Sequence, residues 1–156
     1  MKFSAKEDIE APIGFVFEQV TDFTAIERSA LRRGAEVQRI DTLVSPGPGM
    51  KWDASFRFRG RFREVNLELT TMDPPNTVVL GSRSPNMGGA MMIDLVALSR
   101  ARTRMSVEIK IEPKTLAARL LVQSMKLARN SLTKRFRKRV ADHAEEIESR
   151  FGVQVR

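Results

Sequence analysis

The sequence predicts an α+β fold: a curved antiparallel sheet of about seven strands wrapped around one long C-terminal α-helix, with two short helices after the first strand. Three observations carry this. The hydrophobic period is helical just after Pro12, becomes two between Gly34 and Pro113, and is helical again from 115 to 151. Turn-forming residues cut the middle region into short alternating runs. The apolar stripe of the last helix runs its whole length and needs a partner of matching extent, which the concave face of a sheet supplies.

Residues 3–9 read as a strand with Phe3, Ala5 and Ile9 on one face, and Glu7 falls on that same face. Pro12 then opens a helix, since its fixed φ suits a first turn. Ile13, Val16, Phe17, Val20 and Phe23 recur at three- and four-residue spacing. Thr24 with Glu27 three residues on forms a capping-box pattern for a second short helix. In the middle region Met50, Trp52, Ala54, Phe56 and Phe58 alternate with Lys51, Asp53, Ser55, Arg57 and Arg59. Val65, Leu67 and Leu69 alternate with Glu64, Asn66 and Glu68, and Met105, Val107, Ile109 and Ile111 with Arg104, Ser106, Glu108 and Lys110. One buried and one wet face is the pattern of an antiparallel sheet. Turns fall at 45–49, 73–76, 84–86 and 99–102. From Thr115, a suitable N-cap, to a stop at Gly152, one helix is expected: Leu121, Met125, Ala128, Leu132, Phe136, Val140, Ala144, Ile147 and Phe151 step by three or four.

At 156 residues the chain fits a single domain, 1–156. Its 42% apolar and 29% charged residues mark a globular protein rather than a disordered one. No apolar run approaches the roughly 20 residues of a membrane span. The charged start, with Lys2, Lys6, Glu7, Asp8 and Glu10, is unlike a signal-peptide core and points to the cytoplasm. The absence of cysteine excludes disulfides and thiolate chemistry, and a single histidine argues against a histidine-built metal site. No metal or cofactor is expected.

The net charge of +8 is concentrated in one place. Nine of the 27 bases lie between Lys114 and Arg139 with no acid among them, leaving 18 bases against 19 acids elsewhere. Lys134, Arg135, Arg137, Lys138 and Arg139 place like charges four residues apart, which mildly destabilises a helix. An anionic partner would relieve that repulsion: nucleic acid, a ribosome, an anionic membrane or an acidic protein. Tyrosine is absent and aromatics are scarce here, against base-stacking recognition of single strands. The bland alternative is a solvated face offset by Asp142, Glu145, Glu146 and Glu148.

The order strand, two short helices, about six strands and one long amphipathic helix resembles the START-like (SRPBCC) superfamily, whose architecture is the helix-grip fold. Asp8-Ile9-Glu10-Ala11-Pro12 followed by Val16-Phe17 and Val20-Thr21-Asp22-Phe23 is similar to that family's opening. Gly47-Pro48-Gly49-Met50-Lys51-Trp52 resembles its loop into the third strand, and Asp73-Pro74-Pro75 and Thr103-Arg104 match a turn and a late strand start. The resemblance spans roughly residues 3–151. It includes polyketide cyclase/dehydrase-like and birch-pollen-allergen-like proteins, and implies a hydrophobic small molecule or lipid held between sheet and helix. Some members are enzymes, but the superfamily shares no catalytic motif, so no catalytic residue is carried over.

Trp52, Phe56, Phe58, Met91, Asp94, Leu121 and Met125 are the candidate cavity residues. Methionine and aromatic side chains suit an adaptable apolar pocket, although ordinary core packing explains them too. Asp94 shares a face with Met92 and Val96, and is either a carboxylate within the cavity, partnered by Arg57, Arg83 or Glu7, or a solvated residue of the outer face. Asp94 and Glu7 are the best acid or base candidates if the protein is a cyclase/dehydrase-like enzyme. His143 beside Asp142 is expected to be a surface histidine, because adjacent helical residues point about 100° apart. The glycine pairs at 47/49 and 88/89 lead into strands, not helices, and read as turns rather than phosphate loops. The sequence thus predicts a binder, and possible carrier, of a hydrophobic small molecule; the alternatives are an enzyme on such a ligand or an interaction module using the basic helix.

Overall fold

The computed structural model describes residues 1–155. Its elements run β1 (Lys2–Ile9), α1 (Ile13–Val20), α2 (Phe23–Arg32), β2 (Glu36–Arg39), β3 (Lys51–Phe58), β4 (Arg61–Asp73), β5 (Thr77–Arg83), β6 (Met87–Ser99), β7 (Arg102–Pro113), α3 (Leu116–Leu127) and α4 (Arg129–Gln154). The seven strands form one antiparallel sheet in the order β1-β7-β6-β5-β4-β3-β2. The expected α+β helix-grip architecture is the one observed.

The two-residue period sets the faces. Phe3, Ala5 and Ile9 of β1 pair with Ile109, Val107 and Thr103 of β7, and all lie on the inner side. An irregularity between Leu69 and Thr71 inserts one extra residue, so that Leu69 and Met72 both point inward against Leu80 and Val78. Arg59 and Gly60 connect β3 to β4 with φ of 52° and 74°, the paired positive values of a type I′ hairpin turn.

The last helix departs from expectation. Instead of one helix over 115–151, the chain bends at Ala128 (φ −101°, ψ 18°) and continues to Gln154, past Gly152. Thr115 does cap the start, accepting from the Ala118 N–H at 3.2 Å. The bend takes the chain from α3, which lies on β7, to α4, which lies along β1. No glycine or proline marks it. The second cap also differs. Asp22, not Thr24, accepts from the Ala25 N–H at 3.2 Å. Because the helix starts at Phe23, Glu27 is already past the first turn and cannot complete a capping box.

One end of the fold is tightly closed. Ile9, Val16, Leu69, Leu95, Met105 and Ile147 are fully buried where α1 and the C-terminal half of α4 meet the sheet. Full burial of each such side chain contributes roughly 1.5–3 kcal/mol. Polar ties reinforce this end. The buried Thr103 hydroxyl donates to the Ala11 carbonyl at 2.8 Å, and the Glu10 N–H donates to the Glu148 carboxylate at 2.7 Å. Phe15 of α1 packs on Phe151 of α4, with ring centroids 5.1 Å apart.

Candidate functional site

Followed along each strand, the inner face opens. In β3, Trp52 and Ala54 are buried while Phe56 and Phe58 are half-buried. In β4, buried Leu69 gives way to half-buried Leu67 and Val65. In β5, Val78 gives way to Leu80 and Ser82, and in β6, Leu95 to Ile93 and Met91. In β7, Met105 and Val107 give way to Ile109 and Ile111. The half-buried positions are register partners: Met91 faces both Leu80 and Ile109 across the ladders. The result is a stretch of half-covered apolar side chains across the sheet centre, a trough in burial rather than an enclosed cavity.

Alternation explains why these residues share a face, and one glycine explains how the strands approach. A side chain at Gly89, next to Met91 on the inner face, would put its Cβ 2.6 Å from the Lys110 carbonyl oxygen. Glycine is therefore required for the close strand approach here. The β3–β4 hairpin reaches toward α3: the Arg59 guanidinium lies 3.5 Å from the Ser124 hydroxyl. Leu121 sits on that flank of α3, half-buried.

The seven candidate cavity residues therefore divide. Phe56, Phe58 and Met91 are half-buried on the inner face, and Leu121 is half-buried on α3. Met125 is buried beneath α3. Trp52 belongs to the closed end: it is 4% exposed, its ring lies 5.4 Å from that of Phe23, and its indole N–H donates to Glu27 at 2.7 Å. Asp94 is on the outer face with exposed Met92 and Val96, and accepts from the Thr77 hydroxyl at 2.9 Å. Its place among the cavity residues is corrected: strand parity puts it outside, and a solvated neighbour satisfies it. Arg57 and Arg83 share that outer face but sit farther along the sheet, opposite Phe62 and Gly88, and neither is bonded to Asp94. Among the described strands, Glu7 is the one carboxylate on an inner register position, at the sheet edge beside Arg137.

Two shallow recesses run along that edge. One, about 400 Å³, is lined by Ser4, Ala5, Lys6, Glu7 and Arg137. The other, about 530 Å³, gathers Lys2, Arg129, Asn130, Thr133, Lys134 and Arg137. Of the predicted anion-binding residues, this brings Lys134 and Arg137 together. Lys138 turns to Asp142 at 3.1 Å, and the Arg137 guanidinium donates to the Ser4 carbonyl at 3.4 Å. Arg135 and Arg139 are exposed elsewhere on α4.

Ionisable groups with displaced equilibria lie away from the trough. Asp41, in the loop from β2 to β3, accepts from the Arg39 guanidinium and from the Leu43 and Lys51 N–H groups at 2.8–2.9 Å. The Arg39 hydrogen bonds, then that from Lys51, hold its carboxyl far below the usual range. Arg104 likewise lowers the pKa of Asp8 through a 2.8 Å hydrogen bond. Burial pushes the His143 imidazole down, opposed by Glu146, whose carboxylate is 3.9 Å away, and assisted by Arg150 and Arg33. His143 is half-buried rather than fully on the surface. Among the described residues no cluster of three or more carboxylates or imidazoles is arranged to hold a metal ion, and no helix is long and apolar enough to cross a membrane.

The sequence reading passed over the hairpin tip. Arg57-Phe58-Arg59-Gly60-Arg61-Phe62-Arg63 is a palindrome centred on glycine, and that glycine between two alternating runs was the signal of the turn. Within it Arg59 and Arg63 both lie over Phe58, each 5.9 Å from the ring centre, and Arg57 lies 6.0 Å from that of Phe62.

No family model matches the chain, and no curated protein does. Solved structures do. Zhui aromatase/cyclase from a Streptomyces species aligns over 97% of this chain and 95% of its own, with a TM-score of 0.69 at 14% identity. TTHA0849 from Thermus thermophilus aligns over 96% and 98%, with a TM-score of 0.70 at 12% identity. A START superfamily protein from Mycobacterium smegmatis aligns over 86% and 95%, with a TM-score of 0.56 at 12% identity. The chain has the helix-grip fold that these structures share. At such identities the likeness establishes the fold and leaves ligand and activity to the residues of the trough.

Proposed function

We propose that this protein binds a hydrophobic small molecule or lipid in the trough between the sheet and the C-terminal helices. One observation carries the reading. Phe56, Phe58, Val65, Leu67, Leu80, Met91, Ile109 and Ile111 stay half-buried on the inner face, while the same strands are sealed at the other end. Leaving adjoining apolar side chains in water sacrifices about 25 cal/mol per Å² of contact, and an apolar ligand recovers it. That one neighbour of the same fold is called an aromatase/cyclase extends the reading to turnover. Against turnover stands the chemistry of the trough, whose strand positions supply Ser82 and Arg63 but no carboxylate except Glu7 at the edge. Binding, and carriage, is therefore the reading favoured over catalysis. The basic residues 134–139 add a capacity for anions in the edge recess, through Lys134 and Arg137 with Lys2 and Arg129.

The test is a titration with the uncharged fluorescent probe N-phenyl-1-naphthylamine, chosen because the basic surface cannot attract it. Saturable binding that a long-chain fatty alcohol displaces, and that Met91→Gln weakens without lowering the melting temperature, is expected. Absence of saturable binding, or binding indifferent to Met91, overturns the reading.

A further inference from the structure

Helix α3 carries a second apolar surface that the fold does not use. Ala118, Val122 and Met125 face the sheet and are buried. On the opposite side Leu116, Leu120 and Leu127 are 72%, 61% and 92% exposed. At about 100° per residue these three leucines fall within an arc of about 40°, almost diametrically opposed to the buried set. They share one outward-facing arc, with exposed Gln123 between Leu120 and Leu127.

The stripe has a cationic frame. Arg119 and Lys126 flank it on one side. On the other, Ser124 meets Arg59 of the β3–β4 hairpin at 3.5 Å. The hairpin adds exposed Arg61, which pairs with Phe58 on the inner side of the sheet. No acidic residue occurs between Arg57 and Arg63 or between Lys114 and Arg139. Charge decides among occupants. A second copy would set this cationic frame against another and be repelled. A nucleic acid would satisfy the bases but leave the leucines in water. An anionic bilayer satisfies both, with leucines at the acyl boundary and cations among the headgroups.

We propose that the outer face of α3, with the β3–β4 hairpin beside it, is a docking surface for anionic lipid bilayers. Leu116, Leu120 and Leu127 enter the interface while Arg59, Arg119 and Lys126 hold the headgroups. The proposal stands on this surface alone and does not depend on what fills the trough.

Co-sedimentation with vesicles of equal parts phosphatidylcholine and phosphatidylserine tests it, with pure phosphatidylcholine vesicles as the control. The wild-type protein is expected to bind the mixed vesicles, less at high salt, and not the neutral ones. Leu120→Gln and Leu127→Gln should each weaken partitioning roughly tenfold, the worth of one buried aliphatic side chain. Both leucines are exposed, so circular dichroism and melting should be unchanged. Arg59→Gln with Arg119→Gln should weaken binding as well, whereas Lys134→Gln with Arg135→Gln should leave most of it. Three results overturn the proposal: no binding to the mixed vesicles; binding unaffected by the leucine substitutions but lost with those at 134 and 135; or a concentration-dependent dimer that Leu120→Gln dissolves.

Discussion

The two ends of the sheet's inner face are built from the same strands and the same kinds of residue, yet they pack differently. Near α1, Leu69, Leu95 and Met105 are completely enclosed, and Thr103, Glu10 and Trp52 spend their polar atoms tying helices to strands. Two to four residues further along those strands, Leu67, Met91 and Ile109 have comparable apolar bulk and remain half-buried. The difference lies in the covering layer. Two helices and the aromatic pair Phe15–Phe151 seal the first end, whereas at the second α3 packs on β7 and turns three leucines outward. A hydrophobic pattern therefore fixes which face is inner but not whether that face is filled. The closed end is scaffold, and the open end is the face that the proposed ligand would cover.

The largest expected contrast is energetic. Leu69→Ala should cost about 2–5 kcal/mol, as for truncation in a close-packed core. Met91→Ala should cost about 1 kcal/mol or less, because water already reaches that site. Urea unfolding of both variants measures this, and equal costs would erase the distinction between the ends. Next comes Thr103→Val, which preserves shape but leaves the Ala11 carbonyl without its partner. It should cost about 1–3 kcal/mol in the same assay.

Smaller effects sharpen the boundary. Asp41 ties the loop entering β3, beside Trp52. Asp41→Asn should speed hydrogen exchange at the Leu43 and Lys51 amides while leaving β7 protected. Its carboxyl is held below the ordinary 3.8, so the stability it contributes is present above that value and disappears as pH falls through the folded-state pKa. The Asn variant should lack that acid-side loss. The smallest effect concerns His143. Its pKa is lowered on folding, so the unfolded chain takes up the proton first. Stability should be full above about pH 6.5 and decline below it, and His143→Gln should remove that slope from urea midpoints measured across the range.

Much of this architecture was legible before any coordinates. Strict alternation in Met105, Val107, Ile109 and Ile111 specified a half-wet strand, and the spacing of Phe136, Val140, Ala144 and Ile147 specified a helix that needs a partner. The bend at Ala128 was not legible, because the apolar stripe passes through it in phase and no glycine or proline marks it. The candidate site was legible only as a set of inward-facing positions. Phe56, Phe58 and Met91 could be placed inward by parity, but parity cannot tell a trough residue from a core residue, so Trp52 was grouped with them. Asp94 shows the reverse: its neighbours Met92 and Val96 are apolar yet exposed, so composition disguised an outer face. The leucines of α3 were hidden for a similar reason, since a helix apolar on two sides reads from sequence as one broad buried stripe.

The methionines report on both ends at once. Met50 and Met105 lie in the closed end, Met91 in the trough and Met92 on the outer face of the sheet. Methyl spectra of protein labelled with carbon-13 at the methionine methyls, recorded while the uncharged probe is added, test the central claim most directly. The account predicts that the Met91 signal moves saturably while those of Met50, Met105 and Met92 stay in place. A spectrum in which Met91 is unmoved, or in which Met50 and Met105 move instead, would contradict it.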